Sequence, residues 1–243
     1  MEDENSNPPE WCTGTVVADQ SVDEKHWLQT RKRYLTGSVV AQALDESKWH
    51  DPDPKTGRPG RTRERLLSEK LLDGAFEQNE RMWWGKELEG EIMKRMGSAP
   101  DSLTEGWSVR RSGKLIEDRD CDKFASTPDG WASVPGFPKE MPMDLKISGF
   151  GWRATKNNPD NRAPIDYELQ CQAHMAVTGA EHCALVQFAG NCITWAKVFD
   201  RKDGVIRVLR LEAVRFMKDL HERQSEIGAM VDEIDTILEG GEA

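Results

Sequence analysis

The sequence predicts an α/β (α+β) domain with a central mixed β-sheet flanked by helices. Three observations predict it. Helical apolar periods dominate both ends, short β-rich runs occupy the middle, and the order is helices, three strands, helix, two strands, helix. A chain of 243 residues suits one large domain or two small ones and can hide roughly 70–75% of its unfolded surface.

The first 21 residues carry Asn7-Pro-Pro and few periodic apolar positions, so they are expected to be an acidic, loose N-terminus. The acidic start Met1-Glu-Asp-Glu-Asn5 is unlike a signal peptide. Residues 22–218 are expected to form the domain itself, and 219–243 the acidic end of the last helix. From Val22 the pattern turns helical, with Trp27 and Leu28 on the apolar side and Arg31 one turn after Trp27. Tyr34–Gly37 breaks it. Ser38 then reads as the N-cap of a helix over Val39–Leu44. A helix start favours anions, so Arg31 beside Ser38 suits a phosphate; a surface arginine and a structural cap would look the same.

Residues 50–60 form a Pro/Gly loop, followed by Arg61, Arg63 and Arg65 at the start of a helical stretch to Phe76. Asn79 reads as the cap of the next helix, which places Met82, Leu88, Ile92, Met93 and Met96 on one period, with Gly85 and Glu89 one turn apart. Trp107–Arg111, Lys123–Thr127 and Met143–Ser148 read as strands. Gly149–Pro164 reads as a polar loop carrying Trp152, Arg153, Lys156 and Arg162. Ile165–Thr178 reads as a helix with Gln170 and Gln172. Cys183–Ala189 and Cys192–Phe199 read as a hairpin turning at Gly190-Asn191. A long helical pattern from Asp200 closes the chain.

Composition narrows the function. No apolar run approaches the ~18 residues of a membrane span. The five cysteines are scattered and contain no C-x-x-C pair, so neither a zinc site nor an iron–sulfur cluster is suggested, and free thiols in a reducing cytoplasm are expected. The net charge is −10, but residues 1–24 and 219–243 each carry −7, which leaves the middle at +4. A basic middle is compatible with a DNA cleft.

The chemistry-bearing stretch is Ser126-Thr-Pro-Asp-Gly130 followed by Met143-Asp-Leu-Lys-Ile147. On a strand Asp144 and Lys146 share a face and Leu145 points the other way, toward a core. If the runs Lys123–Thr127 and Met143–Ile147 pair as a hairpin, Asp129 faces Asp144 and Lys146. Two carboxylates and a lysine in one cleft suit a hard divalent cation, with the lysine orienting or deprotonating water. An ion pair on a surface strand has the same signature.

Pro128-Asp129 with Asp144-Leu145-Lys146 resembles the PD-(D/E)xK nuclease signature. Four blocks then run in order: Trp84-Gly85-Lys-Glu-Leu-Glu89, Thr127-Pro-Asp-Gly130, Asp144-Leu-Lys146 and Tyr167-Glu-Leu-Gln170-Cys-Gln172-Ala-His174. Together with Trp27-Leu-x-x-Arg31, Gly37-Ser38 and Lys70, they resemble the λ-exonuclease/YqaJ viral recombinase branch of that superfamily, over about residues 22–200. The resemblance implies a restriction-endonuclease-like core. It implies Glu89, Asp129, Asp144 and Lys146 as catalytic residues, and Glu89, Asp129, Asp144 and the Leu145 carbonyl as metal ligands. Asp144 is an Asp where the branch usually has Glu. Arg31, Ser38, Thr127 and Gln170 match residues around the 5′-phosphate, with Gln172 as the substitute for Gln170.

The same resemblance implies a Mg²⁺-dependent 5′-to-3′ exonuclease, with Mn²⁺ able to substitute. It would act on linear double-stranded DNA ends, releasing 5′-mononucleotides and leaving 3′ overhangs. It also implies a phage or prophage protein in a bacterial cytoplasm, a single-strand annealing recombinase as partner, and a ring-like homotrimer. A structure-specific endonuclease on the same core is the alternative that circular DNA would distinguish. The scattered cysteines oppose an iron–sulfur nuclease, and the intact Glu89/Asp129/Asp144/Lys146 set opposes a non-catalytic DNA-binding scaffold.

Overall fold

The computed structural model describes residues 7–54, 57, 59–72, 80–148 and 160–240. Asn79, the tail of the third helical stretch at 73–76, and the loop residues Trp152, Arg153 and Lys156 lie outside the described residues, as does the side chain of Met82. The strands divide between two mixed sheets rather than one. The first has the order β1 (Thr15–Asp19), β4 (Lys114–Asp118), β5 (Cys121–Ser126), β2 (Leu35–Thr36). The second has the order β3 (Ser108–Arg111), β6 (Gly130–Ser133), β7 (Met141–Ile147), β8 (His182–Ala189), β9 (Cys192–Asp200). The β2–β5 and β7–β8 pairs are parallel and the others antiparallel.

Helix α1 (Glu24–Arg31) is capped by Asp23, whose carboxylate accepts the His26 N–H. The next turn corrects the reading of Ser38 as a cap: Gly37–Val39 is a 3-10 turn with no side-chain cap, leading into α2 (Val40–Ala43). The Ser38 hydroxyl is thereby left for Arg31. Thr62 caps α3 (Arg63–Leu71) by accepting the Arg65 N–H. Helix α4 (Glu80–Arg95) buries Met93, and Met96 just past its end is buried too, while Leu88 is exposed. Helix α5 (Ile165–Thr178) is the crossover between the parallel strands β7 and β8. Both residues of the β8–β9 turn take positive φ, 58° at Gly190 and 69° at Asn191, as the Gly-Asn signal predicts.

The expected hairpin between Lys123–Thr127 and Met143–Ile147 does not form. β5 belongs to the first sheet, and β7 pairs with the interposed β6, Gly130 opposite Met143. The loose N-terminus is also corrected at Thr15–Asp19, which pairs with β4. Just before it, Trp11 meets the buried Trp131 edge-on at 5.9 Å.

Alternation along the strands sorts the core. Met143 and Leu145 of β7 pack with Met93, Met96, Ala184 and Val186 on one side. The opposite side of β8, through Cys183 and Leu185, joins α5 and α6 (Asp203–Gly240) in the larger core. α6 buries Ile206, Leu209, Ala213, Phe216, Met217 and Leu220. Beyond Leu220 the stripe continues as exposed Ile227, Met230, Val231 and Ile234. No described helix is long and apolar enough to cross a membrane.

Candidate active site

Strand β7 carries the centre of the site. With Leu145 turned into the core, Asp144 and Lys146 face α5, and Lys146 Nζ stands 2.7 Å from Asp144 Oδ2. Asp144 is fully buried. Asp129 occupies the junction between β5 in one sheet and β6 in the other. Its N–H donates to the Met143 carbonyl at 3.0 Å, and its Oδ2 accepts the Leu145 N–H at 2.7 Å. Its own carbonyl accepts the Ser112 N–H at 2.8 Å. The Gly130 that follows lies so close to β3 that a Cβ would come within 2.8 Å of the Arg110 carbonyl. Glu89 reaches in from α4 and lies 3.6 Å from Arg111 Nε on β3.

The electrostatics are those of crowded carboxylates. Burial, then the charges of Asp144 and Glu89, push the Asp129 carboxyl well above the usual range. Burial also raises Glu89, against the pull of Arg111 and Lys146. Burial acts the same way on Asp144, but Lys146 and His174 outweigh it and hold that carboxyl at about 2. Lys146 is the counterpart: burial disfavours its charge, yet Asp144 and Asp129 prevail and raise its pKa. It is therefore a held ammonium, and its Nζ also stands 5.0 Å over the Tyr167 ring.

The donor set fits a hard divalent cation. Asp144 Oδ2 is buried with Lys146 beside it but no well-directed hydrogen bond, and three mutually repelling carboxylates gain from a cation. Among the described residues no group of three or more His, Cys, Asp or Glu is already drawn together into a ligand set.

The residues predicted to surround a phosphate gather beside these. A cleft of about 240 Å³ is lined by Arg31, Ser38, Thr127, Asp129, Lys146 and Gln170, among others. Arg31 donates to Ser38 Oγ at 3.1 Å and to Thr36 Oγ1 at 3.4 Å, with its guanidinium 4.4 Å over the Trp27 ring. Burial brings the Arg31 pKa down to about 10, against the pull of Asp129. The Thr127 hydroxyl is buried with no hydrogen-bond partner among the described residues. Glu89, Asp144 and Leu145 stand outside the lining of this cleft. A larger hollow of about 440 Å³, by Lys32, Tyr34, Lys123 and Leu220, contains none of the predicted site residues.

Gln172 is turned away from the cleft. Its side chain bridges the Asp200 carbonyl and the Lys202 N–H, both at 2.9 Å, so it is structural and no substitute for Gln170. Sequence reasoning gave no role to His174, Tyr167 or Ser126, all of which touch this site. Tyr167, Gln170 and His174 follow an i, i+3, i+7 spacing, one helix face, which was the signal available for them. Lys70 donates to the Tyr34 carbonyl at 3.0 Å, and burial followed by Arg31 and Lys32 lowers its pKa to about 8.

A core of mixed sheets and helices that brings Asp129 and Asp144-Leu-Lys146 together on adjacent segments has a fold of the PD-(D/E)xK type. More narrowly, residues 26–181 match the model of the YqaJ-like viral recombinase domain, and the chain belongs to that family. Solved structures share the fold. An alkaline exonuclease (LHK-Exo) from Laribacter hongkongensis superposes with TM-score 0.62 at 21% identity, covering 86% of this chain and 99% of that one. The same enzyme in complex with dAMP gives 0.61 at 20%, with coverage of 86% and 99%. A phage-related exonuclease from Haemophilus somnus 129PT gives 0.54 at 17%, covering 80% and 96%. No curated protein matches in sequence. Family and fold together support a DNA exonuclease.

Proposed function

We propose that this chain is a divalent-metal-dependent exonuclease that enters linear duplex DNA at a 5′-phosphorylated end and proceeds 5′ to 3′. The observation that carries this reading is the single cleft in which Arg31, Ser38, Thr127 and Gln170 stand beside Asp129 and Lys146. A pocket for a terminal phosphate adjoining a hydrolytic centre selects ends over internal sites.

Glu89, Asp129, Asp144 and the Leu145 carbonyl are the residues that would hold Mg²⁺, or Mn²⁺ in its place. Such a cation supplies Lewis acidity toward water and the phosphate oxygens. Lys146 lies between its carboxylate neighbours and the cleft, where it would orient or deprotonate water and offset charge on the attacked phosphate. Arg31 and the Ser38 hydroxyl grip the terminal phosphate, and Thr127 offers a buried hydroxyl that has no partner among the described residues. Cleavage at this spot releases 5′-mononucleotides and leaves a 3′ single strand, the substrate of a single-strand annealing recombinase.

The test compares linear and covalently closed circular duplex, with Mg²⁺ and with EDTA. Mononucleotides from linear DNA alone, abolished by EDTA, are expected. Comparable cutting of circular DNA would instead indicate an endonuclease, and turnover in EDTA would remove the metal from the mechanism.

A further inference from the structure

Asp144 has one neighbour on each carboxylate oxygen: Lys146 at Oδ2 and His174 at Oδ1, the latter through Nε2 at 3.4 Å. His174 is fully buried on α5. Its other ring nitrogen, Nδ1, is 2.9 Å from Ser126 Oγ at the end of β5. With the Ser126 hydroxyl serving Nδ1, the Nε2–H points at the carboxylate, an assignment that follows from the partners. Buried polar groups linked in this way fix one another's rotamers.

The same serine is wedged from above. A Cβ on Gly37 would overlap Ser126 Oγ and approach Ala173 Cβ to 2.9 Å. Gly37 precedes Ser38, the hydroxyl that accepts from Arg31. The path from the Arg31 wall of the cleft to Asp144 therefore runs through Gly37, Ser126 and His174, all buried.

We propose that His174, steadied by Ser126, is a positioning residue that sets the plane of the Asp144 carboxylate and through it the affinity of the site for a divalent cation. This rests on the metal-dependent reading above. An aspartate side chain on a strand has two free torsions. Lys146, on the same strand and on one oxygen only, does not fix both. A second contact from a different element does. Hydrogen-bond partners of ligating carboxylates are commonly worth about 10–100-fold in metal affinity or activity.

The experiment is a calorimetric titration of the protein without DNA, using Mn²⁺, on wild type, Asp144→Asn, His174→Phe, His174→Gln and Ser126→Ala. Thermal melts and kcat and KM on linear duplex accompany it. His174→Phe is expected to weaken Mn²⁺ binding by about 10–100-fold and to lower kcat with KM for DNA unchanged. His174→Gln, which keeps an N–H donor, should recover part of both, and Ser126→Ala should weaken binding less than His174→Phe. A folded His174→Phe protein with wild-type Mn²⁺ affinity overturns the proposal. If that variant does not fold, Ser126→Ala decides: weakened affinity supports the proposal and wild-type affinity overturns it. Failure of the wider reading looks different, because wild type then takes up no Mn²⁺ that Asp144→Asn loses, and both readings fall together.

Discussion

Asp129 Oδ2 accepts the backbone N–H of Leu145 at 2.7 Å. This bond ties the junction between the two sheets to the middle of β7, so the Asp129 carboxylate is placed by backbone rather than by a movable side chain. It also holds Asp129 against Asp144 and Glu89, whose charges add to burial in raising its pKa. The fixed placement of the carboxylate and its repulsion from Asp144 and Glu89 have the same cause.

A stability trade follows for Asp129→Asn, which keeps an acceptor for the Leu145 N–H and removes the charge. The folded state binds the Asp129 proton more tightly than the unfolded chain, so stability falls as pH rises from the unfolded pKa, near 3.8, through the raised folded value. In EDTA at pH 8 the variant is expected to melt above wild type. The gap should shrink as pH drops through the folded value and close below 3.8, where wild-type Asp129 is protonated in both states. Added Mn²⁺ should raise the wild-type Tm and move the variant little. Melting curves across pH, with EDTA or Mn²⁺, check this; a wild type that melts higher than Asp129→Asn in EDTA at pH 8 contradicts it.

Lys146→Ala removes an ammonium poised between the carboxylates and the cleft. Cleavage of linear duplex should fall by about 10²–10⁴-fold, the range for a group acting on the reacting water. Duplex binding should persist, because Arg31 and Ser38 are untouched. Rates and gel-shift binding measured on the same preparation decide it: Mg²⁺-dependent turnover near the wild-type rate removes Lys146 from the site.

Much of this was legible locally. The period-2 alternation of Met143–Ile147 placed Asp144 and Lys146 on one face and Leu145 in the core, and it survives in β7. Gly190-Asn191 marked its hairpin, and the α5 period was plain. The readings that failed depended on short strands. β4, Lys-Leu-Ile-Glu-Asp, has two apolar residues, and β6, Gly-Trp-Ala-Ser, begins with a glycine, so neither shows a strand period. With β6 unseen, Asp129 was assigned to a hairpin of β5 with β7. His174 was illegible for another reason: a buried histidine on an apolar helix face acquires meaning only from what packs against it, here Ser126 and Asp144.

The N-terminal strand gives a prediction that the acidic composition of residues 1–24 does not. Ala18 of β1 packs in one small core with Trp27, Tyr34, Leu115 and Ala125, and Asp19 forms an ion pair with Lys114. Trp27 is also the ring under Arg31. A chain starting at Gln20 should therefore lose about 2 kcal/mol or more, roughly 4–8 °C in Tm at about 2–4 °C per kcal/mol. The folded remainder should also lose selectivity for 5′-phosphorylated ends as Trp27 loosens. Wild-type melting and wild-type end preference in the truncated protein would show that β1 supports neither.

The sharpest prediction concerns Arg31. Its guanidinium offers a planar fork of donors, one already on Ser38 Oγ at 3.1 Å, above an aromatic face at 4.4 Å. Burial works against its charge, and the Asp129 carboxylate supports it. A terminal 5′-phosphate carries more charge than an internal diester, so the fork should tell ends apart. Wild type is expected to degrade 5′-phosphorylated duplex faster than 5′-hydroxyl duplex. Arg31→Ala should lose most of that preference, at about 1.5–3 kcal/mol for a hydrogen bond to a charged group, or roughly 10–150-fold in rate ratio. Arg31→Lys keeps the charge but loses the fork and its stacking on Trp27, so it should recover the preference only in part. Initial rates for the three proteins on the two substrates separate this from a merely structural arginine, for which both variants would keep the wild-type ratio. Equal wild-type rates on both ends would remove the phosphate pocket, and with it the ground for an exonuclease that starts from the 5′ end.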